Sequence, residues 1–398
     1  MRALFTTQPG FGHLNPVLPY AVALRDAGHE VRFASTRTFG EAIEQHGFAC
    51  EPVGVDFTWE RASEYFPGID DAARAGRADE FAAFEVTWKL WNATAARDLM
   101  ALFERWRPDV IVREFMENGA TFAGELSGVP VVCAAWGALP DDRTSWQVVI
   151  DWDRQLSCYA RVRNDLGLPP DPSGSSWGRQ VVLSPLPPAW IRGHERPAEV
   201  RHFRVQLNES AGTEAPKWLA SMGVDRPLVY ATLGTVYNRL RRLRRAFLDA
   251  FADLDADVLL TIGRNVDPAT IGAIPPNVRV EPFVAQSLVL PRAALVVSHA
   301  GLGTMLGAIY AGVPMVVVAV GADQPINARR ATELGVADSL DFRDADATRL
   351  HAAAARALGD AGRYAASRAL REECDAMDDV GGALNTLESV VRGDRGHG

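Results

Sequence analysis

The stretch Val296-Val297-Ser298-His299-Ala300-Gly301-Leu302-Gly303-Thr304 reads as a buried strand ending at Ser298, a glycine-marked turn, and the start of a helix. Gly301 and Gly303 let a backbone come close to a ligand. A helix N-terminus carries free N–H groups and a partial positive charge, so it favours an anion. Thr304 adds a hydroxyl and His299 a ring N–H. Together these groups suit a diphosphate. Taken alone, the same glycines could instead serve only the fit of a tight strand-to-helix turn, and that alternative stays open at this point.

The neighbouring segments narrow the choice. Gly312-Val313-Pro314 precedes a strand at 315–318, and beyond its C-terminal end come Asp323, Gln324 and Asn327. In a parallel sheet, ligands bind beyond the carboxyl ends of the strands. Asp323 and Gln324 therefore stand one βα unit from the diphosphate turn, with side chains suited to sugar hydroxyls. Upstream, Pro282-Phe283-Val284-Ala285-Gln286 follows another strand and offers an aromatic face for a base. Leu233-Gly234-Thr235 ends the strand at 228–232 and points to the same crevice.

The alternation of strands and helices extends over most of the chain. In the first half, strands are expected at 3–6, 31–34, 110–112 and 129–133. Asn15-Pro16 suits a helix N-cap and first turn, and a helix is expected near 119–126. The span 56–107 breaks the rhythm and is rich in aromatics, among them Trp59, Phe84, Trp88 and Trp91. A second insertion, a helix at 147–166 followed by a Pro-rich stretch, adds another wall for an organic-substrate pocket. Residues 206–216 are polar and weakly apolar, as in a linker, and the βα pattern then restarts. The expected domains are 1–205 with the organic-substrate walls, a linker at 206–218, 219–377 for the nucleotide, and a C-terminal helix and tail at 378–398 packing back on the first domain. The expected fold class is α/β, with two Rossmann-like domains whose parallel sheets face each other across a cleft.

Composition excludes several functions. The 398 residues are 47% hydrophobic and 23% charged, with a net charge of −9, which disfavours nucleic acid as a partner. Lys89 and Lys217 are the only lysines, and neither follows a glycine-rich loop, so a Walker-type NTPase is excluded. No apolar run approaches the ~18 residues of a membrane span, and the start turns polar too soon for a signal peptide. Cys50, Cys133, Cys158 and Cys374 are scattered, as expected of small buried residues in a reducing cytoplasm. The expected location is cytoplasmic.

The constellation from 280 to 335 resembles the donor-binding signature of nucleotide-sugar glycosyltransferases of the GT-B architecture. More narrowly, it resembles the bacterial natural-product branch of family 1, and the resemblance covers nearly the whole chain. It implies that His299, Gly301, Leu302, Gly303 and Thr304 hold the diphosphate, Asp323 and Gln324 the sugar, and Phe283 and Val284 the base. Gly234, Thr235 and Gln286 complete the donor set. Many relatives carry Trp where this chain has Phe283 and Pro where it has Ala285. Relatives that use UDP-sugars commonly bind the ribose with an acid at the position of Gly307, so the resemblance implies a dTDP-sugar donor here.

The second signal, Gly10-Phe11-Gly12-His13-Leu14-Asn15-Pro16, follows the first strand and resembles the family's N-terminal loop, whose His is the general base. Transfer with inversion needs a hydroxyl deprotonated as the diphosphate leaves, and a His has a suitable pKa for that. The family often orients this His with an acid after the fourth strand. Glu114 and Glu117 are both candidates, and the sequence leaves the choice open. Gly10, Phe11 and Gly12 form the acceptor loop.

The expected activity is metal-independent, inverting transfer of a deoxysugar to a hydroxyl of an apolar, aromatic or polyketide aglycone. The helix terminus and His299 are expected to neutralise the leaving diphosphate, so no metal or cofactor is called for beyond the nucleotide sugar. Expected partners are the dTDP-sugar and a small-molecule acceptor, with no nucleic acid and no membrane; a homodimer is left open. Three alternatives stand beside this reading. A dinucleotide dehydrogenase lacks its third glycine and its ribose-binding acid. A nucleotide-sugar epimerase of the same architecture would need acids flanking the sugar. A catalytically silent partner protein would have no use for His13. The triplets Asp151–Asp153, Asp255–Asp257 and Asp344–Asp346 read as surface features and not as metal sites.

Overall fold

The computed structural model describes residues 1–135, 151–191, 199–206, 214–234, 240–264 and 266–393. They form two compact units, one from Met1–Leu186, Ile191–Gln206 and Met377–Gly398, the other from Pro187–Trp190 and Leu207–Ala376.

The first unit is built on β1 (Arg2–Thr6), β2 (Glu30–Ser35), β3 (Ala49–Pro52), β4 (Val110–Glu114), β5 (Val131–Ala134), β6 (Val181–Ser184) and β7 (Val200–Arg204). Their order is β7-β6-β5-β4-β1-β2-β3, and every pairing is parallel. Helices cover both faces, which is why a central strand such as β4 is buried at each of its residues. The chain order reverses at β1, so the crevice for a ligand opens beyond the ends of β1 and β4. A core including Leu4, Trp91, Leu99, Phe103, Ile111 and Ala123 holds one face of this sheet.

The second unit is built on β8 (Leu228–Thr232), β9 (Asp257–Thr261), β10 (Val278–Glu281), β11 (Ala293–Ser298), β12 (Met315–Ala319) and β13 (Ala337–Asp341). Their order is β10-β9-β8-β11-β12-β13, again wholly parallel. Here the order reverses between β8 and β11, where Thr232 pairs with Ser298. Gly234 and His299 thus leave the sheet at its switch point.

The last strand, β14 (Asp378–Asp379), pairs with β7 and so extends the first sheet. The helix Val380–Arg392 follows, capped by Asp379 through the Gly381 N–H at 2.8 Å, and packs against the helix Phe11–Asp26. Pro187–Trp190, assigned to the first domain on sequence, groups with the second unit. Arg330 donates to the carbonyls of Ala189 and Trp190, and the Ala189 N–H donates to Glu373 at 2.9 Å.

Two local features depart from the sequence expectation. The first helix starts at Phe11, with Gly10 as its N-cap, and not at Asn15-Pro16. Pro16 and Pro19 sit inside the helix, each removing one N–H donor from its ladder. His13 consequently lies in the first helical turn. The aromatic run Phe81–Trp91 forms a π-helix that leads directly into the helix Asn92–Arg105. Two acids of the Asp triplets are helix caps, Asp151 and Asp346, and Asp257 is ion-paired with Arg226 at 2.7 Å. Among the described residues no helix is long and apolar enough to cross a membrane.

Candidate active site

In the first unit, the end of β1 and the end of β4 bring His13 and Glu114 together. Nδ1 of His13 is 3.1 Å from Oε1 of Glu114. The same oxygen lies 3.4 Å from the Gln8 N–H, and Oε2 accepts from the Met116 N–H at 2.7 Å. Glu114 is fully buried, so these donors are what hold its carboxylate in place.

Glu117 does something else. It accepts from the Trp91 indole N–H at 3.1 Å and from the Ala120 N–H at 3.1 Å, at the start of the helix Gly119–Ser127. A Cβ on Gly119 would lie 2.7 Å from its Oε1, so only glycine leaves it room. Burial pushes the Glu117 carboxyl above the ordinary range. Glu117 is a helix-capping and indole-binding group, and the candidate role as partner of His13 passes to Glu114 alone.

Gln8, missed on sequence, ties the loop together. Its amide donates to the Met116 carbonyl at 3.0 Å and to Thr87 at 3.3 Å, and it accepts from the Trp59 indole at 3.0 Å. The Trp59 ring lies over His13 with centroids 6.5 Å apart. A polar residue directly after a buried strand was the available signal. Phe11 is 42% exposed and meets Phe39 edge-on, and its N–H donates to Glu60 at 3.1 Å. A Cβ on Gly10 would come within 3.3 Å of Trp59, whereas one on Gly12 would meet nothing within 4 Å. Packing thus accounts for Gly10 and leaves Gly12 facing open space.

In the second unit, His299 fills the space that two glycines leave. A Cβ on Gly234 would sit 2.4 Å from its Cε1, and one on Gly301 2.5 Å from its Nε2. Gly234 also has φ +66°, a conformation that favours glycine. Burial lowers the His299 pKa to about 4, against a hydrogen bond with the Thr232 backbone that raises it. The ring is therefore neutral at pH 7 and offers hydrogen bonding without a positive charge.

Gly301 caps the helix Leu302–Ala311, after Ala300 in a left-handed conformation at φ +65°. Gly303 is exposed, and a Cβ there would meet nothing within 4 Å. Leu302 is half-buried. Thr304 accepts from the Gln286 amide at 3.0 Å, which leaves its own proton to donate. Val284 is buried in the domain, so its side chain is part of the core. Phe283 is 40% exposed, with the Arg264 guanidinium 3.9 Å above its ring. Thr235 lies outside the described residues.

Asp323 caps the helix Gln324–Glu333 and accepts from Asn327 at 2.5 Å. Asn327, fully buried, also donates to the Ala300 carbonyl at 3.3 Å. One amide thus links the glycine turn to Asp323. The Gln324 carbonyl oxygen is taken by the N–H groups of Val320 and Gly321, at 2.9 and 3.3 Å.

The first unit thus carries an imidazole held by a buried acid, and the second carries a helix N-terminus beside a carboxylate. Known proteins show the same combination of folds. The chain matches family models described as the N-terminal domain (residues 22–149) and the C-terminal domain (residues 245–380) of erythromycin biosynthesis protein CIII-like proteins. It is 30% identical to an L-demethylnoviosyl transferase of Streptomyces niveus, over 94% of each chain. It is 29% identical to a 4'-demethylrebeccamycin synthase of Lentzea aerocolonigenes, over 98% of this chain and 99% of that one. Among solved structures it resembles the glycosyltransferase VinC in complex with dTDP, with a TM-score of 0.74 and 28% identity over 98% of this chain and 100% of that one. The two parallel-sheet units are those of the GT-B architecture, and the chain belongs to the erythromycin biosynthesis protein CIII-like family of antibiotic-tailoring glycosyltransferases.

Proposed function

We propose that this glycosyltransferase moves a deoxysugar from a dTDP-sugar to a hydroxyl of an apolar aromatic or polyketide aglycone, with inversion and without a metal. The observation that carries the reading is the His13–Glu114 pair, whose atoms are 3.1 Å apart. A carboxylate can only accept, so the imidazole donates from Nδ1 and its lone pair is on Nε2. Nε2 takes the acceptor proton as the acceptor oxygen bonds the anomeric carbon. The bond from that carbon to the diphosphate breaks, and the diphosphate keeps the electron pair. Glu114 then faces an imidazolium, whose charge it offsets.

On the donor side, the N–H groups that open the helix Leu302–Ala311 receive the diphosphate, with the Thr304 hydroxyl beside them. Phe283 takes the base and Asp323 the sugar hydroxyls. Gly307 is buried on that helix and has no side chain to accept from a ribose 2′-OH. A 2′-deoxyribose leaves nothing unpaired there, which supports dTDP over UDP by roughly tenfold to a hundredfold.

The test is a panel of dTDP- and UDP-sugars with aromatic and macrolide acceptors, read by mass spectrometry with and without EDTA. Expected are acceptor-dependent products in EDTA, a product anomer opposite to the donor's, and tighter binding of dTDP than UDP in competition calorimetry. Sugar isomerisation without acceptor would favour the epimerase reading, and activity restored only by Mg²⁺ would overturn metal independence.

A further inference from the structure

Arg113, the residue before Glu114 on β4, is fully buried. Its Nε donates to the Gln180 side chain at 2.8 Å, and Gln180 in turn donates to Thr121 at 2.9 Å. Its Nη1 donates to the Glu114 carbonyl at 3.2 Å and to the Phe115 carbonyl at 2.7 Å. Nη2 is buried with no hydrogen-bond partner, and among the described residues no carboxylate pairs with this guanidinium. A buried cation without an anion is costly, and an apolar side chain of similar volume would pack there at lower cost. Such a replacement would lose the bond to Gln180 and the bonds to the β4 turn.

The Phe115 carbonyl and the Met116 N–H belong to one peptide group. Arg113 donates to its oxygen at 2.7 Å, and its N–H donates to Oε2 of Glu114 at 2.7 Å. Donation to a carbonyl polarises the N–H of the same peptide and strengthens the bond that it makes. The other oxygen of Glu114 faces His13. A continuous path thus runs from the guanidinium through one peptide to the carboxylate and on to the imidazole.

We propose that Arg113 is the positioning residue of the His13–Glu114 pair, fixing the carboxylate through the Phe115–Met116 peptide so that Nδ1 of His13 is held in one orientation. The inference rests on the reading of His13 as general base. Arg113 touches no reacting atom and acts only through that pair.

Two measurements test it on the full chain. The first is the downfield proton resonance of His13 Nδ1–H, assigned by its loss in His13→Ala. Arg113→Met should shift it upfield or broaden it, and Arg113→Lys, which keeps the charge on a single donor nitrogen, should retain it in part. An unchanged resonance in Arg113→Met would overturn the proposal. The second uses the donor and acceptor turned over best in the panel above. Arg113→Met should lower kcat roughly tenfold to a hundredfold, as loss of a supporting hydrogen-bond partner does elsewhere, with donor KM unchanged. Arg113→Met combined with His13→Ala should be no slower than His13→Ala alone. Additive losses would mark Arg113 as a packing residue and overturn the proposal, while leaving the base assignment standing. Near-full activity of His13→Ala would overturn both. Should Arg113→Met fail to fold, the same cycle with Arg113→Lys separates coupled from additive losses in the same way.

Discussion

Nδ1 of His13 sits 3.1 Å from a carboxylate oxygen of Glu114 that is wholly buried, while the imidazole keeps 20% of its side chain exposed. The carboxylate is locked inside and the imidazole reaches the surface of its unit. Glu117, three residues further on, is equally buried and serves the fold instead.

The two glutamates should therefore separate cleanly. His13→Ala should lower kcat by roughly 10²–10⁴-fold with the dTDP Kd unchanged, and Glu114→Gln should lower it by roughly a hundredfold or more. Glu117→Ala should instead cost about 1–3 kcal/mol of stability, by leaving the Trp91 and Ala120 N–H groups without their acceptor. Thermal unfolding beside steady-state kinetics checks both. A Glu117 variant that is stable but inactive would reverse the assignment.

Gly303 offers a test of why glycine stands in the turn. A methyl there meets no protein atom within 4 Å, and the position is helical. Gly303→Ala should hold stability or raise it by about 0.5–1 kcal/mol. It should also weaken dTDP binding roughly tenfold, because the methyl intrudes where the diphosphate approaches. Full dTDP affinity in the variant would assign this glycine to chain geometry alone.

His299 should leave a mark on the pH dependence of stability. Its pKa falls from the ordinary 6.5 to about 4 on folding, so the folded state excludes the proton. The stability this contributes is present above pH 6.5 and is lost as pH falls toward 4. The gap in Tm between the unmodified chain and His299→Gln should be widest near pH 7.5 and narrow through that window. A constant gap would mean the imidazole is not held neutral.

Asp323 and Asn327 should differ in what they disturb. Asp323→Ala should raise KM for the sugar nucleotide and leave binding of bare dTDP nearly intact. Asn327→Ala should weaken both, because it also releases the Ala300 carbonyl in the glycine turn. Calorimetry with each ligand decides. Equal losses for both ligands in Asp323→Ala would mean that this carboxylate does not face the sugar.

The sequence made the second unit easy to read for a physical reason. Strands buried on both faces are continuous apolar runs, and the turns between them must be small, so 228–232 and 315–318 stand out beside Gly234 and Gly301. Strands at or next to a sheet edge, such as β13 and β7, carry polar residues and did not stand out. The helix start at Phe11 was hidden because Pro16 imitates a first-turn signal. The π-helix 81–91 has no 3.6-residue pattern to betray it. Arg113 could not be found at all: an arginine at a strand end reads as solvent-facing, and its burial depends on Gln180, far along the chain. Likewise the choice between Glu114 and Glu117 depended on the backbone path after β4.

The return of the chain's far end to the first sheet bears on how such enzymes can be recombined. The strand β14 and the helix Val380–Arg392 belong to the unit that presents His13, although most of the other unit intervenes in the chain. A hybrid made with a single crossover near the linker would seat a foreign tail against the helix of His13. Parentage of the first unit is thus written in two stretches of the chain, one on each side of the second unit. Exchanging that unit between relatives calls for two crossovers, so that residues up to 206 and from 377 onward travel together.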